Sequence, residues 1–263
     1  MKTLIINLHF TDYCNYHCHH CFVKKEEKEL SFNDIQIIVD KISDYSKAND
    51  LKTRINLAGG EPLVSKNIQL IIDYISLKGL EVSIITNGFY LTKEFIEQNK
   101  EKVSMIGLSV DSLKTKTNID IGRCTKNNKV ITELNLIELC SAIKNNEIKL
   151  KINICASALN ISEDFSNFLS KVRPDRIKIL RVLGQGGKVP EPYLITDEDW
   201  ERIKQRYSEL KPEFEDNDYM RDGYIIVDSI GNLSKNNLHV TNNSLLKKDL
   251  GDCLQNLFKA KEV

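Results

Sequence analysis

Three cysteines stand close together near the start of the chain, and their spacing is the strongest chemical signal in the sequence. Cys14, Cys18 and Cys21 follow a Cys-x3-Cys-x2-Cys pattern, directly after an apolar segment at residues 4–10. Three thiolates can bind three irons of a cubane [4Fe-4S] cluster and leave the fourth iron without a protein ligand. Because an open iron can bind and cleave a small molecule, the pattern predicts a reactive iron–sulfur site.

Three alternatives compete with a cluster for these thiols: a zinc site, structural disulfides and ordinary buried cysteines. Zinc binds mixed cysteine and histidine sets, and His17, His19 and His20 lie among the cysteines. Zinc sites of this kind usually show two separated ligand pairs, however, and no second pair follows in the sequence. Structural disulfides are disfavoured because the chain has seven cysteines, an odd number, and no signal peptide. An iron–sulfur cluster is therefore favoured over zinc, and zinc over disulfides.

The charge balance excludes several classes of protein. The 263 residues include 37 Lys and Arg against 37 Asp and Glu, which gives a formal net charge of zero. That balance argues against a general nucleic-acid binder and against a membrane-surface protein. No apolar run approaches the ~20 residues of a membrane span. The first predicted strand begins near residue 2, so we expect no amphipathic membrane anchor before it. We expect a cytoplasmic, monomeric protein.

Short apolar runs alternate with longer helical patterns along the chain. The predicted strands lie at residues 3–9, 54–57, 81–86, 104–109, 149–155 and 176–182. The predicted helices lie at about 31–47, 66–78, 92–99, 130–146, 162–171 and 196–209. Six βα units in series predict a parallel sheet with helices outside it. Since six units are too few for a closed eightfold barrel, we predict an α/β fold with a partial (β/α)6 TIM-like barrel.

The partial barrel is predicted to cover residues 1–210. Residues 211–263 are predicted to form a short C-terminal extension that packs on the barrel within the same domain. In this extension, residues 224–228 are predicted to form one more strand, and the polar stretch 232–243 a loop. Ligands of such folds gather at the carboxyl ends of the strands. The three cysteines follow the first strand, so they lie at that end.

Polar residues alternate with apolar ones on four predicted strands, although the strands of a covered parallel sheet should be almost wholly apolar. A period of two places each polar set on one face, which we expect to be the barrel interior. Several buried cations predict a multiply charged anion such as a triphosphate. Alternatively, each cation lies at a strand end and reaches water. The inward set is Asn7, His9, Arg54, Asn56, Lys149, Lys151, Asn153, Arg176 and Lys178.

Three further motifs follow predicted strands. Glycines let a backbone approach a ligand closely, and a glutamate can accept hydrogen bonds from an ammonium group. Each motif alone is compatible with an ordinary turn. The motifs are Gly59-Gly60-Glu61-Pro62, Thr86-Asn87-Gly88 and Ser109-Val110-Asp111.

Together these motifs resemble the radical S-adenosylmethionine (SAM) superfamily, and in particular its viperin-like enzymes. The cysteine and Gly-Gly-Glu-Pro motifs are shared across the superfamily. The segments that resemble the viperin-like enzymes occur in the same order over about residues 3–230. The most discriminating of them are Asn7, Ile121–Arg123, Lys151–Asn153, Arg176–Lys178 and Tyr224 within 220–228. Two departures are Arg54, where the family can have Lys, and Ala58, which replaces a Ser.

The resemblance implies a [4Fe-4S] cluster and SAM as cofactors, with Cys14, Cys18 and Cys21 as the cluster ligands. It implies SAM contacts from Gly59, Gly60, Glu61, Thr86, Asn87, Ser109, Arg123 and Asn153. It implies nucleotide contacts from Asn7, Arg54, Lys151, Arg176, Lys178 and Tyr224.

The implied reaction converts a ribonucleoside triphosphate to its 3′-deoxy-3′,4′-didehydro analogue, a chain terminator in antiviral defence. CTP is the first expected substrate, with UTP or GTP as others. A 5′-deoxyadenosyl radical removes hydrogen from C4′. The 3′-hydroxyl is then lost as water, and the uptake of one electron and one proton gives the 3′,4′-alkene. Tyr224 is a candidate proton donor, and flavodoxin or ferredoxin a candidate electron donor. The competing interpretations are another radical SAM enzyme, such as a peptide maturase or an activase, and a zinc-binding interaction module.

Overall fold

Parallel strands alternate with helices through most of the chain. The computed structural model describes residues 2–21, 23, 26–182, 191–216, 224–235 and 242–259. The strands are β1 (Lys2–Thr11), β2 (Leu51–Gly59), β3 (Glu81–Thr86), β4 (Val103–Ser109), β5 (Lys149–Ala156), β6 (Arg176–Arg181), β7 (Glu213–Glu215), β8 (Ile225–Val227) and β9 (Leu233–Lys235). The helices are α1 (Phe32–Ala48), α2 (Ile68–Leu77), α3 (Lys93–Gln98), α4 (Thr115–Asp120), α5 (Glu133–Asn145), α6 (Ser166–Val172), α7 (Asp197–Arg206) and α8 (Leu250–Lys259).

The strands form one curled sheet in the order β7-β6-β5-β4-β3-β2-β1-β8-β9. Neighbouring strands are parallel except β8 and β9, which are antiparallel. The predicted partial barrel of six βα units is therefore confirmed. Two short strands lengthen it, β7 beside β6 and β8 beside β1. Among the described residues, no helix has the length and apolar character of a membrane span.

Burial along the strands follows the predicted alternation. On β1, Ile6, Leu8 and Phe10 are completely buried, whereas Asn7 and His9 between them keep some exposure. The buried set packs with the apolar faces of the helices in one continuous hydrophobic core. The polar set therefore faces the other, concave side of the sheet, as predicted.

Capping residues fix where helices begin. The Ser31 hydroxyl accepts a hydrogen bond from the Asp34 backbone N–H at 3.1 Å at the start of α1. Thr196 and Asp199 form a reciprocal capping box at the start of α7. These caps satisfy backbone donors that have no partner within their own helix. They place the helix starts close to the predicted boundaries.

The region after residue 210 differs from the prediction. The stretch 232–243 was predicted to be a loop, but Leu233–Lys235 within it pairs with β8 as strand β9. Residues 236–241 lie outside the described residues, and helix α8 was not predicted. A three-residue strand is too short to show alternation, and its partner is fixed by tertiary packing. The division of the chain near residue 210 remains an interpretation.

Candidate functional site

The cysteines lie in the loop directly after β1, at the carboxyl end of the sheet, as predicted. They form no disulfide within the described residues, and all three are partly exposed. Two backbone hydrogen bonds anchor this loop, from His17 N to Gly122 O at 3.1 Å and from His19 N to Ile121 O at 3.0 Å. Gly122 has φ +71°, and a Cβ there would lie 2.5 Å from the His17 carbonyl oxygen. Glycine is therefore required for the two segments to approach so closely.

The thiols and their surroundings fit a cubane cluster. In the described part of the chain, no three His, Cys, Asp or Glu side chains converge as they would around a single metal ion. A cubane spreads three thiolates over three irons, so its ligands need not converge on one point. Arg123 Nη1 lies 4.0 Å from Cys18 Sγ. Its guanidinium therefore places a positive charge beside the thiolate that would bind the cluster.

A buried carboxylate just after β4 holds Arg123 in place. Arg123 donates to Asp111 Oδ2 at 2.9 Å and to the Ser109 carbonyl oxygen at 2.6 Å. The Cys155 backbone N–H donates to Asp111 Oδ1 at 2.9 Å, and His20 Nε2 lies 3.5 Å from Asp111 Oδ2. Burial acts to raise the pKa of Asp111, but Arg123 and His20 outweigh it and lower that pKa to about 2. Asp111 therefore remains charged and fixes the cation beside the cysteine loop.

Glu61 joins two of the predicted SAM-binding segments. It is buried and accepts hydrogen bonds from Thr86 Oγ1 at 2.7 Å, from the Asn87 backbone N–H at 2.7 Å and from the Leu63 backbone N–H at 3.1 Å. Asn87 Nδ2 in turn donates to Asn15 Oδ1 in the cysteine loop at 2.8 Å. The turn after β2, the end of β3 and the cysteine loop therefore form one hydrogen-bonded unit.

The two glycines before Glu61 allow close packing of backbone on backbone. Gly60 N donates to Thr11 O at 2.7 Å, and Glu61 N donates to Tyr13 O at 2.8 Å. A Cβ on Gly60 would lie 2.1 Å from the Tyr13 carbonyl oxygen, and Gly59 has φ +116°. The glycines thus seat the turn against the start of the cysteine loop. Their predicted contact with SAM remains a prediction.

On the concave face, polar side chains link four strands. Asn7 Nδ2 donates to a β8 carbonyl oxygen at 3.2 Å, Asn56 Nδ2 donates to Asn7 Oδ1 at 2.9 Å, and Ser83 donates to Asn56. Arg54 Nη1 lies 3.8 Å from Glu81 Oε1. Arg54 Nε is buried without a hydrogen-bond partner among the described residues. Arg54 therefore keeps hydrogen-bonding capacity that a ligand could use.

Two carboxylates on β7 engage the cations of β6. Arg176 donates through Nε and Nη2 to Glu213, at distances of 2.7–2.9 Å. Lys178 donates to Glu215 and, at 2.8 Å, to the Tyr224 hydroxyl, which itself donates to Glu215. Neither carboxylate is evident from the sequence pattern, because β7 has three residues and its pairing with β6 depends on the tertiary fold. The concave face is thus less cationic than predicted.

Lys151 differs from the two cations of β6. It is buried on β5 opposite Arg176 and makes no hydrogen bond or ion pair with the described residues. Burial, together with nearby Lys178 and Arg176, lowers the pKa of Lys151 to about 7. Two residues along the strand, Asn153 Oδ1 is also buried without a partner in the described chain. Both groups have unused capacity for a ligand on the concave face.

The predicted residues therefore fall into two neighbouring groups. Most of the SAM-binding set surrounds the cysteine loop, and the nucleotide-binding set lies on the concave face. Asn153 connects them, because it pairs in register with Ser109 on β4 and with Lys178 on β6. Residues 220–223 of the segment before Tyr224 lie outside the described residues.

Known proteins are similar to this sequence over most of its length. A profile of the Radical SAM superfamily matches residues 8–157, which include the cysteines and the Gly-Gly-Glu-Pro turn. The chain is 35% identical over 251 residues to the S-adenosylmethionine-dependent nucleotide dehydratase of Psychrobacter lutiphocae. The alignment covers 89% of this chain and 83% of that protein. This chain belongs to the radical SAM superfamily. Within it, the relatives place the enzyme in the viperin-like group.

A second relative supports this assignment, and a solved structure shares the fold. The radical SAM enzyme is 30% identical over 230 residues to the S-adenosylmethionine-dependent nucleotide dehydratase of a Thermoplasmatales archaeon, covering 86% of this chain and 80% of that one. Native anSMEcpe with bound AdoMet matches it with a TM-score of 0.73 and 12% identity, covering 99% of this chain and 82% of that chain. At that identity the likeness shows the fold alone. As a radical SAM enzyme, the protein uses a [4Fe-4S] cluster and SAM.

Proposed function

We propose that this radical SAM enzyme is a nucleotide dehydratase that converts a ribonucleoside triphosphate to its 3′-deoxy-3′,4′-didehydro analogue. The observation that carries the proposal is the largely buried side chain of Lys151, which makes no ion pair with the described residues and lies on the concave face beside two further cations. A polyphosphate would satisfy it. The relatives named S-adenosylmethionine-dependent nucleotide dehydratase support the coarser part of the proposal, the dehydration of a nucleotide. We propose CTP as the first substrate, with UTP or GTP as alternatives, and a role in antiviral defence.

The cofactor side of the site follows from the loop geometry. Cys14, Cys18 and Cys21 are the proposed cluster ligands, and Arg123, fixed by Asp111, supplies a positive charge beside them. When bound, the cluster and SAM supply the radical that removes hydrogen from C4′ of the ribose. The proposed SAM contacts are Gly59, Gly60, Glu61, Thr86, Asn87, Ser109, Arg123 and Asn153.

The nucleotide side of the site holds the phosphates through cations on three strands. Lys178 has three N–H donors, of which two already contact Glu215 and Tyr224. One donor therefore remains for a phosphate oxygen. Arg176 keeps Nη1 in the same way, since Glu213 engages its Nε and Nη2. The proposed nucleotide contacts are Asn7, Arg54, Lys151, Arg176, Lys178 and Tyr224.

Binding in this way would fix the ribose and exclude water from it. Tyr224 is the proposed proton donor to the departing 3′-hydroxyl. Its hydroxyl accepts a hydrogen bond from Lys178 and donates one to Glu215. To act as the donor, the Tyr224 proton must turn from Glu215 towards the substrate. The nearby ammonium would then stabilise the phenolate that forms.

An anaerobic reaction with SAM, dithionite and each of the four ribonucleoside triphosphates tests this proposal. Mass spectrometry should show a product about 18 Da lighter than one of the nucleotides, the mass of the water that is lost. Formation of 5′-deoxyadenosine with every nucleotide left intact would refute the proposed substrate class. Zinc in place of iron and sulfide after anaerobic purification would instead favour a zinc-binding module. Replacing dithionite with reduced flavodoxin or ferredoxin tests the proposed electron donor.

A further inference from the structure

We propose that Glu213 and Glu215 are resident counter-ions that make the anion site selective for polyphosphates over smaller anions. This inference deepens the proposed function and rests on it. The two carboxylates lie on β7, at the edge of the sheet, and both engage cations of β6. Both carboxylates also act electrostatically on Lys151 on β5, which neighbours β6.

Burial makes the contact between Lys178 and Glu215 a strong competitor for an anion. Lys178 is 7% exposed and Glu215 is 4% exposed, and Lys178 Nζ also lies 3.9 Å from Glu213 Oε2. Opposite charges that are shielded from water attract each other strongly. Breaking such a pair is unfavourable, because it leaves a buried charge without a partner. A single phosphate would therefore have to displace Glu215 from Lys178, or bind elsewhere.

Lys151 provides the other half of the selectivity. This buried lysine lies on β5 opposite Arg176 and makes no ion pair with the described residues. An anion that binds only Lys151 still lies close to both carboxylates and is repelled by them. A polyphosphate has further oxygens that can reach the remaining donors of Arg176 and Lys178 while the carboxylates stay in place.

The carboxylates thus weaken the binding of a single phosphate most, because it must displace Glu215 from Lys178 or bind Lys151 alone beside both carboxylates. A longer phosphate chain reaches the remaining donors without displacing either carboxylate. Specificity of this kind depends on a repulsive element as well as on attraction. A nucleoside monophosphate or free phosphate would be rejected, and a triphosphate accepted. The sheet itself therefore sets the number of phosphates, independently of the base.

Binding of simple phosphates to the cluster-loaded protein tests this inference without any turnover. Inorganic phosphate, pyrophosphate and tripolyphosphate would be titrated by anaerobic calorimetry into the wild type and into Glu213→Gln and Glu215→Gln. The wild type should bind tripolyphosphate far more tightly than phosphate. Each variant should bind phosphate more tightly, with a smaller gain for tripolyphosphate, so that the affinity ratio of tripolyphosphate to phosphate falls about tenfold. Glu138→Gln, which removes an exposed ion pair with Lys93, is the matched control and should leave the ratio unchanged.

An unchanged ratio in both variants, or an equal loss of affinity for all three anions, would overturn the inference and leave the dehydratase reaction standing. A wild type that binds no tripolyphosphate would overturn the inference together with the proposed phosphate site. If Glu215→Gln does not fold, Glu213→Gln still decides the matter, because the Glu213 side chain is 47% exposed and tolerates the change.

Discussion

Lys151→Met should stabilise the nucleotide-free enzyme while it destroys the anion site. The substitution removes a buried ammonium and keeps a long, unbranched apolar side chain. The pKa of Lys151 falls from an ordinary 10.5 to about 7 in the folded chain. A difference of about 3.5 units, at about 1.4 kcal/mol per unit, corresponds to about 5 kcal/mol. That energy is the upper bound on the cost of the charged lysine in the folded state.

The pH dependence of this cost has a definite sign. Below about pH 7, Lys151 is protonated in both the folded and the unfolded chain, and the full destabilisation is present. Between about 7 and 10.5, the unfolded chain binds a proton that the folded chain lacks, so stability rises with pH. The advantage of Lys151→Met should therefore be largest near pH 6, at about 3 kcal/mol after relaxation of the site, and should vanish near pH 10.

Thermal unfolding of the cluster-loaded protein measures this difference. For a chain of this size, about 3 kcal/mol corresponds to a rise in Tm of about 6 °C at pH 6. Lys149→Met is the matched control, because Lys149 lies on the same strand but is exposed. It should change the Tm by less than about 1 °C. Tripolyphosphate affinity should fall about 100-fold in Lys151→Met only.

Two results would refute this reasoning. A lower Tm at pH 6 in Lys151→Met would show that the ammonium supports the fold. Unchanged tripolyphosphate affinity would show that Lys151 does not contact the phosphates. The second result would remove the observation on which the proposed function depends most.

Three more variants test other parts of the site. Cys18→Ala should abolish the cluster absorbance at about 400 nm and all SAM cleavage. The control Cys140→Ala, which changes a cysteine of the hydrophobic core, should retain both. Retained SAM cleavage in Cys18→Ala would contradict the ligand assignment. Lys178→Ala should weaken triphosphate binding at least about tenfold with the cluster intact, as measured by calorimetry, and unchanged affinity would remove it from the phosphate site. Gly60→Ala should lower the free energy of unfolding by about 2–3 kcal/mol in a denaturation experiment, because the new Cβ would clash with the Tyr13 carbonyl oxygen. The control Gly251→Ala should be tolerated, because a Cβ there makes only ordinary contacts. Equal stability of the two variants would contradict the close packing at Gly60.

The fold could be predicted from the sequence where periodic patterns are long. Apolar residues alternate over most of β1 and β5, and these strands lie within one or two residues of their predicted limits. Strands β7 and β9 have three residues each, so they carry no pattern. Their positions depend on which edge of the sheet remains open after the longer strands have paired.

The candidate site shows the same division. The cysteines and the inward lysines follow from spacing and alternation along single segments. The counter-ions Glu213 and Glu215 do not, because a glutamate in a short polar stretch is ordinarily solvated. Asp111 marks an intermediate case, since its position after β4 could be predicted but its contact with Arg123 could not. Pairwise electrostatics between distant segments require the three-dimensional structure.

The anchoring of the cysteine loop by residues 121 and 122 has a consequence for cluster assembly. Two backbone hydrogen bonds and a glycine contact already restrain the loop in the polypeptide itself. Iron and sulfide would then bind to a loop whose backbone is already restrained. Cluster assembly would therefore cost little conformational entropy of that loop. Chelation followed by reconstitution should accordingly be reversible without global refolding, in contrast to small zinc domains that unfold when their metal leaves.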